Sequence, residues 1–422
     1  MKRGAPHLDH ADVAIVGAGP AGLMAAVAAA GGGRRAVVLE QLEGPGRKLL
    51  ASGGGRCNLT NTLAPDALAA RFGRQGRFLR PAIEAMDSQG LRAFLDSLGV
   101  ATHAPDGVHV YPASEKAADV LGALRRRLKE LGVAVRAQTR VTGLWLEGGA
   151  LCGIETGGGR VAAQRVVLAT GGKGYPGLGA TGTGYALARQ AGHTLVEPTP
   201  ALVPLVTRET WPRHCAGVSL PLARVRIDLP RQPRAGLLGA VLFTHTGLSG
   251  PAVLDLSGDV AALLAGRESV PLRIDLSPGT TRHEWLARFG RWQEGAAAKT
   301  VRALLDRHLP RALVAAMLRL AGMDLDGRAA GLGRASQQRL ADLLTALPLE
   351  VVATEGWGRA MVTRGGIPLK EVDPETLGSR RLPGLFFAGE ILDLDGPSGG
   401  FNLQWAFSSG YLAGRAASQP RD

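Results

Sequence analysis

Residues 12–41 read DVAIVGAGPAGLMAAVAAAGGGRRAVVLEQ, and this stretch decides the fold. An apolar strand, Asp12 to Val16, runs into Gly17-Ala18-Gly19-Pro20-Ala21-Gly22. A small-residue helix follows, and a second apolar strand, Ala36 to Leu39, ends in Glu40 and Gln41. Gly17 makes a tight turn, Gly19 lets the backbone approach a pyrophosphate, and Gly22 lets the helix pack close to the strand. The helix N-terminus offers free N–H groups and a positive dipole end to phosphate. Glu40 stands 18 residues beyond Gly22, at a strand tip where a carboxylate can hydrogen-bond a ribose 2′-OH. An acid there suits the unphosphorylated ribose of FAD or NAD and repels the 2′-phosphate of NADP. A plain glycine-rich turn is the alternative, and it would not explain the strand, helix and acid together.

At 422 residues the chain can hold two or three domains, each with its own core. Its 45% hydrophobic and 20% charged residues are those of a globular enzyme and exclude a disordered or fibrous chain. No apolar run reaches the roughly 18–20 residues of a membrane span, so no membrane partner is expected. Lys2 and Arg3 lead directly to the nucleotide-binding strand, a pattern unlike a signal peptide. Cys57, Cys152 and Cys215 are widely spaced and form no CxxC, which argues against a disulfide framework, a zinc site and a dithiol pair. A cytoplasmic location and no metal are therefore expected.

The formal charge is +13, yet 42 of the 49 basic residues are arginine and they are dispersed, apart from short groups such as Arg125-Arg126-Arg127. With 60 glycines, this reads as the codon bias of a GC-rich genome. A general attraction for anions follows. Specific nucleic-acid binding does not, because aromatics are only 5% and are not interleaved with the basic residues.

Outward from the first unit, the run Gly44 to Asn58 is too glycine-rich for a helix or strand and long enough to line a ligand. Residues 81–98 read as one amphipathic helix, and Ser114 as the cap of another reaching Leu131. From Val133 to Thr170 short β-rich runs separated by Gly148-Gly149 and Gly157-Gly158-Gly159 form a β-meander. Residues 197–275 keep β character. A helical section follows from Arg282 to Leu347, interrupted by Pro310 and closed by Pro348, and β character returns at Val351 to Thr363. Strand Leu385 to Ala388 leads to Gly389-Glu390, and a last helix starts near Asn402.

Four separated motifs agree: GAGPAG with Glu40, RKLLASGGGRCN (47–58), LATGGKGYPGLGATGTGYALARQAGH (168–193) and GLFFAGEILDLDGPSGGFNLQWAFSSGYLAG (384–414). With FTHTGLSGPAVLDLS (243–257) and VTRGGI (362–367), they resemble the HI0933-like FAD-dependent flavoproteins over nearly the whole chain. The resemblance implies an α/β architecture: a two-dinucleotide-binding, Rossmann-like FAD domain, an inserted β-barrel-like substrate domain and a small helical domain. The boundaries are 1–196 with 349–422 for the FAD domain, 197–280 for the β-rich domain (with part of 349–363 able to join it), and 281–348 for the helical one.

Carried over by motif, the resemblance puts Gly17, Gly19, Pro20, Ala21 and Gly22 on the FAD pyrophosphate, and Glu40 with Gln41 at the adenosine ribose. Lys48, Gly54, Gly55, Arg56, Cys57 and Asn58 line the pyrophosphate and flavin, with Lys48 and Arg56 as cations or as solvated surface charges. Val141 corresponds to a backbone contact with adenine, Thr170-Gly171 to a strand end beside FAD, and Gly389, Glu390 and Asp393 to the ribityl chain. Gly400, Phe401, Asn402 and Leu403 open the last helix, whose dipole can stabilise negative charge at N1 and O2 of reduced flavin. For acid–base work the candidates are His245, suited to proton transfer near neutral pH, and Arg364, suited to holding a carboxylate or enolate-like oxygen. A turn hydrogen bond is the competing role for His245.

Two features invite other readings. Gly172-Lys173-Gly174-Tyr175-Pro176-Gly177 also fits GxGxxG, with Glu197 following 20 residues after Gly177, and suggests a separate NAD(P) site; Pro176 inside the turn argues for the FAD side. Cys57 can be a redox cysteine, a covalent flavin anchor or a buried structural thiol. The expected protein is an oxidoreductase with non-covalent FAD and a small-molecule substrate. Hydride would pass between that substrate and flavin N5, either by NAD(P)H-linked reduction, with NAD(P)H as a transient donor, or by oxidase or dehydrogenase chemistry on an amine. The alternative is a non-catalytic or RNA-associated flavoprotein: a redox sensor or an RNA-modification factor.

Overall fold

The computed structural model of the chain describes residues 9–420, so Lys2 and Arg3 lie outside it. The chain divides into two compact units, Met1–Thr199 with Val362–Asp422, and Pro200–Met361.

The first unit is built on a parallel sheet. Strands β1 (Asp9–Val16) and β2 (Ala36–Leu39) are joined by α1 (Pro20–Gly31), the short-linked strand–helix–strand expected from the sequence. Next along the chain come α2 (Arg47–Ala51), β3 (Thr60–Asn61), α3 (Pro65–Ala70), α4 (Gly76–Ala85), α5 (Ser88–Ser97), β4 (Thr102–His103), β5 (His109–Pro112) and α6 (Ala117–Glu130). Then follow β6 (Ala134–Arg136), β7 (Val141–Glu147), β8 (Ala150–Thr156), β9 (Gly159–Leu168), α7 (Thr183–Gln190) and β10 (Val196–Ala201). The sheet order is β6-β2-β1-β9-β8-β7. β7, β8 and β9 pair antiparallel, forming the meander. β9 then turns parallel to β1, matching Ala14 with Val166 and Val16 with Leu168. Such strands are covered on both faces, which is why β2 is four buried apolar residues without alternation.

The second unit contains β11 (Leu205–Thr207), β12 (Ser219–Ile227), β13 (Leu237–Phe243), β14 (Gly247–Ser249), α8 (Pro251–Leu264) and β15 (Val270–Asp275). It continues with α9 (Arg282–Gly295), α10 (Val301–Leu305), α11 (Arg311–Leu320), α12 (Arg334–Ala346) and β16 (Leu347–Thr354). Its six strands close a barrel in the order β11-β14-β13-β12-β15-β16, with β16 pairing back to β11. Barrel residues such as Phe243 and Leu272 share one apolar core with Trp285, Phe289 and Leu340 of the helical section.

The chain returns to the first unit through β17 (Val362–Gly366), β18 (Leu385–Phe387) and α13 (Phe401–Ser418). β18 lies parallel to the C-terminal half of β9. α13 packs backbone to backbone on α1: Cβ atoms at Gly410 and Gly414 would fall 2.2 Å from the carbonyl oxygens of Ala21 and Ala25.

Several local expectations differ from the structure. Residues 81–98 are not one helix: α4 ends at Ala85, and Asp87 caps α5 by accepting from Gly90 N. The break is held from a distance, since Gln404 Nε2 and Ser408 Oγ of α13 both donate to the freed Met86 carbonyl. Ser114 is not a cap, because α6 starts at Ala117 behind Lys116 and no side chain caps it. Pro348 sits inside β16. α8 interrupts the region read as β, and Pro251 in its first turn is where proline suits a helix.

Candidate functional site at the carboxyl edge of the sheet

The parallel strands run β6-β2-β1-β9-β18, so the order reverses between β1 and β9. Ligands of open α/β sheets bind outside the carboxyl ends at such a switch. At that edge stand Gly17 after β1, Glu40 after β2, Thr170-Gly171 after β9 and Gly389-Glu390 after β18.

Gly17 has φ +101° and a Cβ there would meet Ala169 O at 2.6 Å, while a Cβ on Gly22 would lie 1.9 Å from Gly17 O. These two glycines are required by the protein itself. Gly19 differs, since a Cβ there would meet nothing within 4 Å. It is an open cradle at the α1 N-terminus, followed by Pro20, which has no amide, and by Ala21 and Gly22, whose first-turn amides have no intrahelical acceptor. Glu40 is held by Ala18 N at 2.8 Å on Oε2 and Leu42 N at 2.9 Å on Oε1, which fixes the carboxylate at the strand tip. Gln41 Nε2 donates to Gly179 O at 2.8 Å and ties the 172–182 loop to this edge. Val141, buried, begins β7 next to Arg140 and Thr139, whose backbone amide bonds Glu40 O.

Gly53, Gly54 and Gly55 all have positive φ, of 57°, 68° and 92°, where only glycine suits, but the run read as too glycine-rich for a helix contains α2 at Arg47–Ala51, because its glycines flank a stretch of good helix formers. Lys48 Nζ pairs with Glu390 Oε2 at 2.7 Å. Arg56 pairs with Glu115 at 3.1 Å and stacks over the Tyr111 ring. Cys57 is fully buried, and burial pushes its thiol up to about 11, so it is a poor nucleophile. With its amide nitrogen donating to Thr60 O and Val110 O, Asn58 accepts from Gly400 N at 3.2 Å and holds the start of α13.

Gly389 has φ +74° and is gripped by α13, with its amide donating to Ser409 Oγ at 2.9 Å and its carbonyl accepting from Trp405 Nε1 at 3.2 Å. Glu390 Oε1 accepts from Thr363 N at 2.9 Å. Asp393 accepts from Gly365 N at 3.1 Å, and burial raises its carboxyl above the usual range. Asn402 does not point its amide outward: the side chain bonds Gly396 N, Gly396 O and Pro397 O. Phe401 and Leu403 complete the first turn of α13, Phe401 buried and Leu403 against the core. Thr170 Oγ1 and Tyr185 OH are buried without a hydrogen-bond partner among the described residues.

The second glycine turn is decided by its amides. Lys173 N and Gly174 N both donate to Thr363 Oγ1, at 2.8 and 3.2 Å. No helix begins at Gly177; a short turn covers Pro176–Leu178 and α7 starts at Thr183. This turn offers no helix N-terminus to a phosphate.

Arg364 is held by Asp395 through Nε and Nη2 at 3.1–3.2 Å. His245 is exposed at the tip of the β13–β14 hairpin in the second unit. Sequence reading missed Thr363, the hub between Glu390 and the second glycine turn, and the pair Asp106–His109, whose rings and carboxylate lie 2.5 Å apart. For Thr363 no local signal exists. For the pair the signal was Asp-x-x-His, in which an aspartate can bond its own backbone two and three residues on.

Residues 11–416 match the family model described as HI0933-like protein Rossmann domain. The 3-dehydro-bile acid delta(4,6)-reductase of Clostridium scindens is 36% identical over 96% of this chain and 99% of its own. A ribosomal RNA dihydrouridine synthase of Escherichia coli is 30% identical over 96% of this chain and 97% of its own. Among solved structures, a 3-ketosteroid-delta4-(5alpha)-dehydrogenase from Rhodococcus jostii aligns with TM-score 0.56 and 19% identity over 99% of both chains, a likeness of fold. No helix among the described residues is long and apolar enough to cross a membrane.

Proposed function

The chain belongs to the HI0933-like family and is an FAD-dependent oxidoreductase, and from that premise we propose that it reduces a carbon–carbon double bond conjugated with a carbonyl in a small organic substrate, using NAD(P)H as transient electron donor. One observation carries this reading: two relatives covering 96% of the chain are named for that chemistry on different molecules. A delta(4,6) bond system of a 3-dehydro bile acid and the C5=C6 bond of uridine are both conjugated with a carbonyl.

FAD, when bound and reduced, supplies the hydride. Gly17, Gly19, Ala21 and Gly22 would hold its pyrophosphate, Glu40 its adenosine ribose, the Gly53–Asn58 loop and Asp393 its flavin side, and the first turn of α13 the negative charge of the reduced ring. The raised thiol of Cys57 supports non-covalent binding. Arg364, oriented by Asp395, would hold the substrate's carbonyl or carboxylate oxygen. The division into an FAD domain, a β-rich substrate domain at 197–280 and a helical domain at 281–348 is part of the same proposal, with His245 as a substrate-side group.

Anaerobic mixing of FAD-loaded protein with NADH and NADPH tests it, followed by reoxidation with 4-androstene-3,17-dione or 2-cyclohexen-1-one. Bleaching by a nicotinamide and recovery with an enone are expected. Bleaching by amines alone would replace this reading with an amine oxidase or dehydrogenase. A second reading, supported by the ribosomal RNA relative and the +13 charge, places the double bond in an RNA uridine. Reoxidation by rRNA but not by free enones, with binding that weakens steeply in salt, would select it.

A further inference from the structure

We propose that His109, fixed by Asp106, is the proton donor of this site, an inference that rests on the cofactor's reactive ring lying at the start of α13. Asp106 is immobilised on three donors: its Oδ1 accepts from Val108 N at 2.9 Å and His109 N at 2.8 Å, and its Oδ2 meets His109 Nδ1 at 2.5 Å. A carboxylate on Nδ1 places the proton there and leaves Nε2 as the working nitrogen. The same three bonds hold the Asp106 carboxyl well below the usual carboxylate range, so the pair keeps its anion at neutral pH.

Nε2 faces the start of α13. A methyl group at Gly399, where φ is +103°, would come within 3.0 Å of it. The approach is built by strand pairing: His109 is opposite Asn61 in the β3–β5 ladder, and Asn61 Nδ2 donates to Gly399 O at 3.3 Å. Thr60 O of the same strand lies so close that a Cβ on Gly400 would be 2.5 Å away. The imidazole is 38% exposed, so it can exchange its proton with water. Other candidates in this unit suit the role less. Arg364 is engaged by Asp395, and a guanidinium does not release its proton near neutral pH. The Tyr185 hydroxyl is buried and raised by burial and by Glu390 and Asp393.

In the step, the substrate's β-carbon takes the hydride supplied by the reduced cofactor. The π pair moves to the α-carbon beside the carbonyl, and that carbon takes the Nε2 proton of the His109 imidazolium, whose Nδ1 proton stays with Asp106. The neutral imidazole then takes a proton from water, so two electrons and two hydrogens are added.

The test uses FAD-loaded protein and the variants H109Q and D106N. The first readout needs no substrate: the visible flavin band is followed from about pH 5 to 9, across the range in which imidazole titrates. The charged group bonded to it is Asp106, and Arg71 lies over the Phe401 ring, at 5.7 Å from its centroid. The wild type should show a one-proton band shift that is absent in H109Q and moved in D106N. The second readout is reoxidation of dithionite-reduced protein by 2-cyclohexen-1-one, which should be about 10²–10⁴-fold slower in H109Q. D106N keeps the imidazole and serves if H109Q does not fold. An identical band shift in wild type and both variants overturns the proposal, as does full-rate enone reduction by H109Q. No enone reduction by the wild type overturns the conjugated-bond reading and the enone step with it, while the His109-dependent shift separately decides whether the imidazole faces the ring.

Discussion

Gly17–Gly22 and Gly172–Gly177 share one sequence pattern and do opposite things. In the first, the glycines let α1 start directly after β1, and Gly19 is left facing open space. In the second, the amides of Lys173 and Gly174 are bound by the Thr363 hydroxyl from a strand about 190 positions on, and Tyr175 is in the left-handed region with φ +56°. A GxGxxG pattern therefore marks a tight turn. Whether that turn can bind phosphate depends on where its N–H groups go.

The largest effect should come from Gly22→Ala, whose Cβ would overlap the backbone carbonyl of Gly17 at 1.9 Å with the Ala169 Cβ 3.3 Å away. A loss of at least about 3 kcal/mol in urea unfolding is expected, and a loss below about 1 kcal/mol would mean that the turn relaxes and the packing argument fails. Thr363→Val comes next. It strands the two amides of the second turn, at roughly 1–3 kcal/mol per buried donor, and an unchanged melting temperature would show that those amides find other acceptors. Gly19→Ala sharpens the contrast between the turns. The apo protein should lose about 1 kcal/mol or less, while FAD affinity, read by fluorescence titration, should fall about tenfold or more. Equal affinity would remove Gly19 from the pyrophosphate site.

The smallest effect concerns pH. Glu371 is buried beneath His193, bonded at 3.1 Å, and its other partners are Thr194 N, Thr194 Oγ1 and Arg381. Burial alone would raise its carboxyl, but the Thr194 and Arg381 bonds win and hold it at about 2. Its contribution is then present above the ordinary carboxylate value and lost as pH falls through about 2. His193 is lowered, chiefly by burial, so its contribution is complete above the ordinary imidazole value and fades as pH falls below it. Glu371→Gln should lower stability at pH 7 and flatten the acid limb of the stability–pH curve. A parallel limb in that variant would assign the acid sensitivity elsewhere.

Much of the sheet's carboxyl edge was legible because its elements are short-range. A strand, a three-glycine turn, a helix and an acid all lie within 30 residues, and each glycine has a local reason. What was illegible is long-range. The break between α4 and α5 exists because α13 supplies two donors to Met86 from 318 and 322 positions away. The pairing of Lys48 with Glu390 spans 342 positions, and it places the lysine where no reading of its own loop could. His109 was overlooked for the same reason, since its neighbour Gly399 arrives only through the β3–β5 ladder and α13.

By itself, the sequence determined the Rossmann-like βαβ unit and the meander, because backbone turns, apolar runs and the Glu40 acid act locally, and its motifs carried the resemblance to the family. The resemblance implied a β-barrel-like domain, but only the tertiary structure decided which six strands close it and in what order, that the second glycine turn binds Thr363, and that His109 comes up against Gly399 before α13. Those outcomes depend on hydrogen bonds and close packing between residues far apart in the chain, which local spacing does not encode.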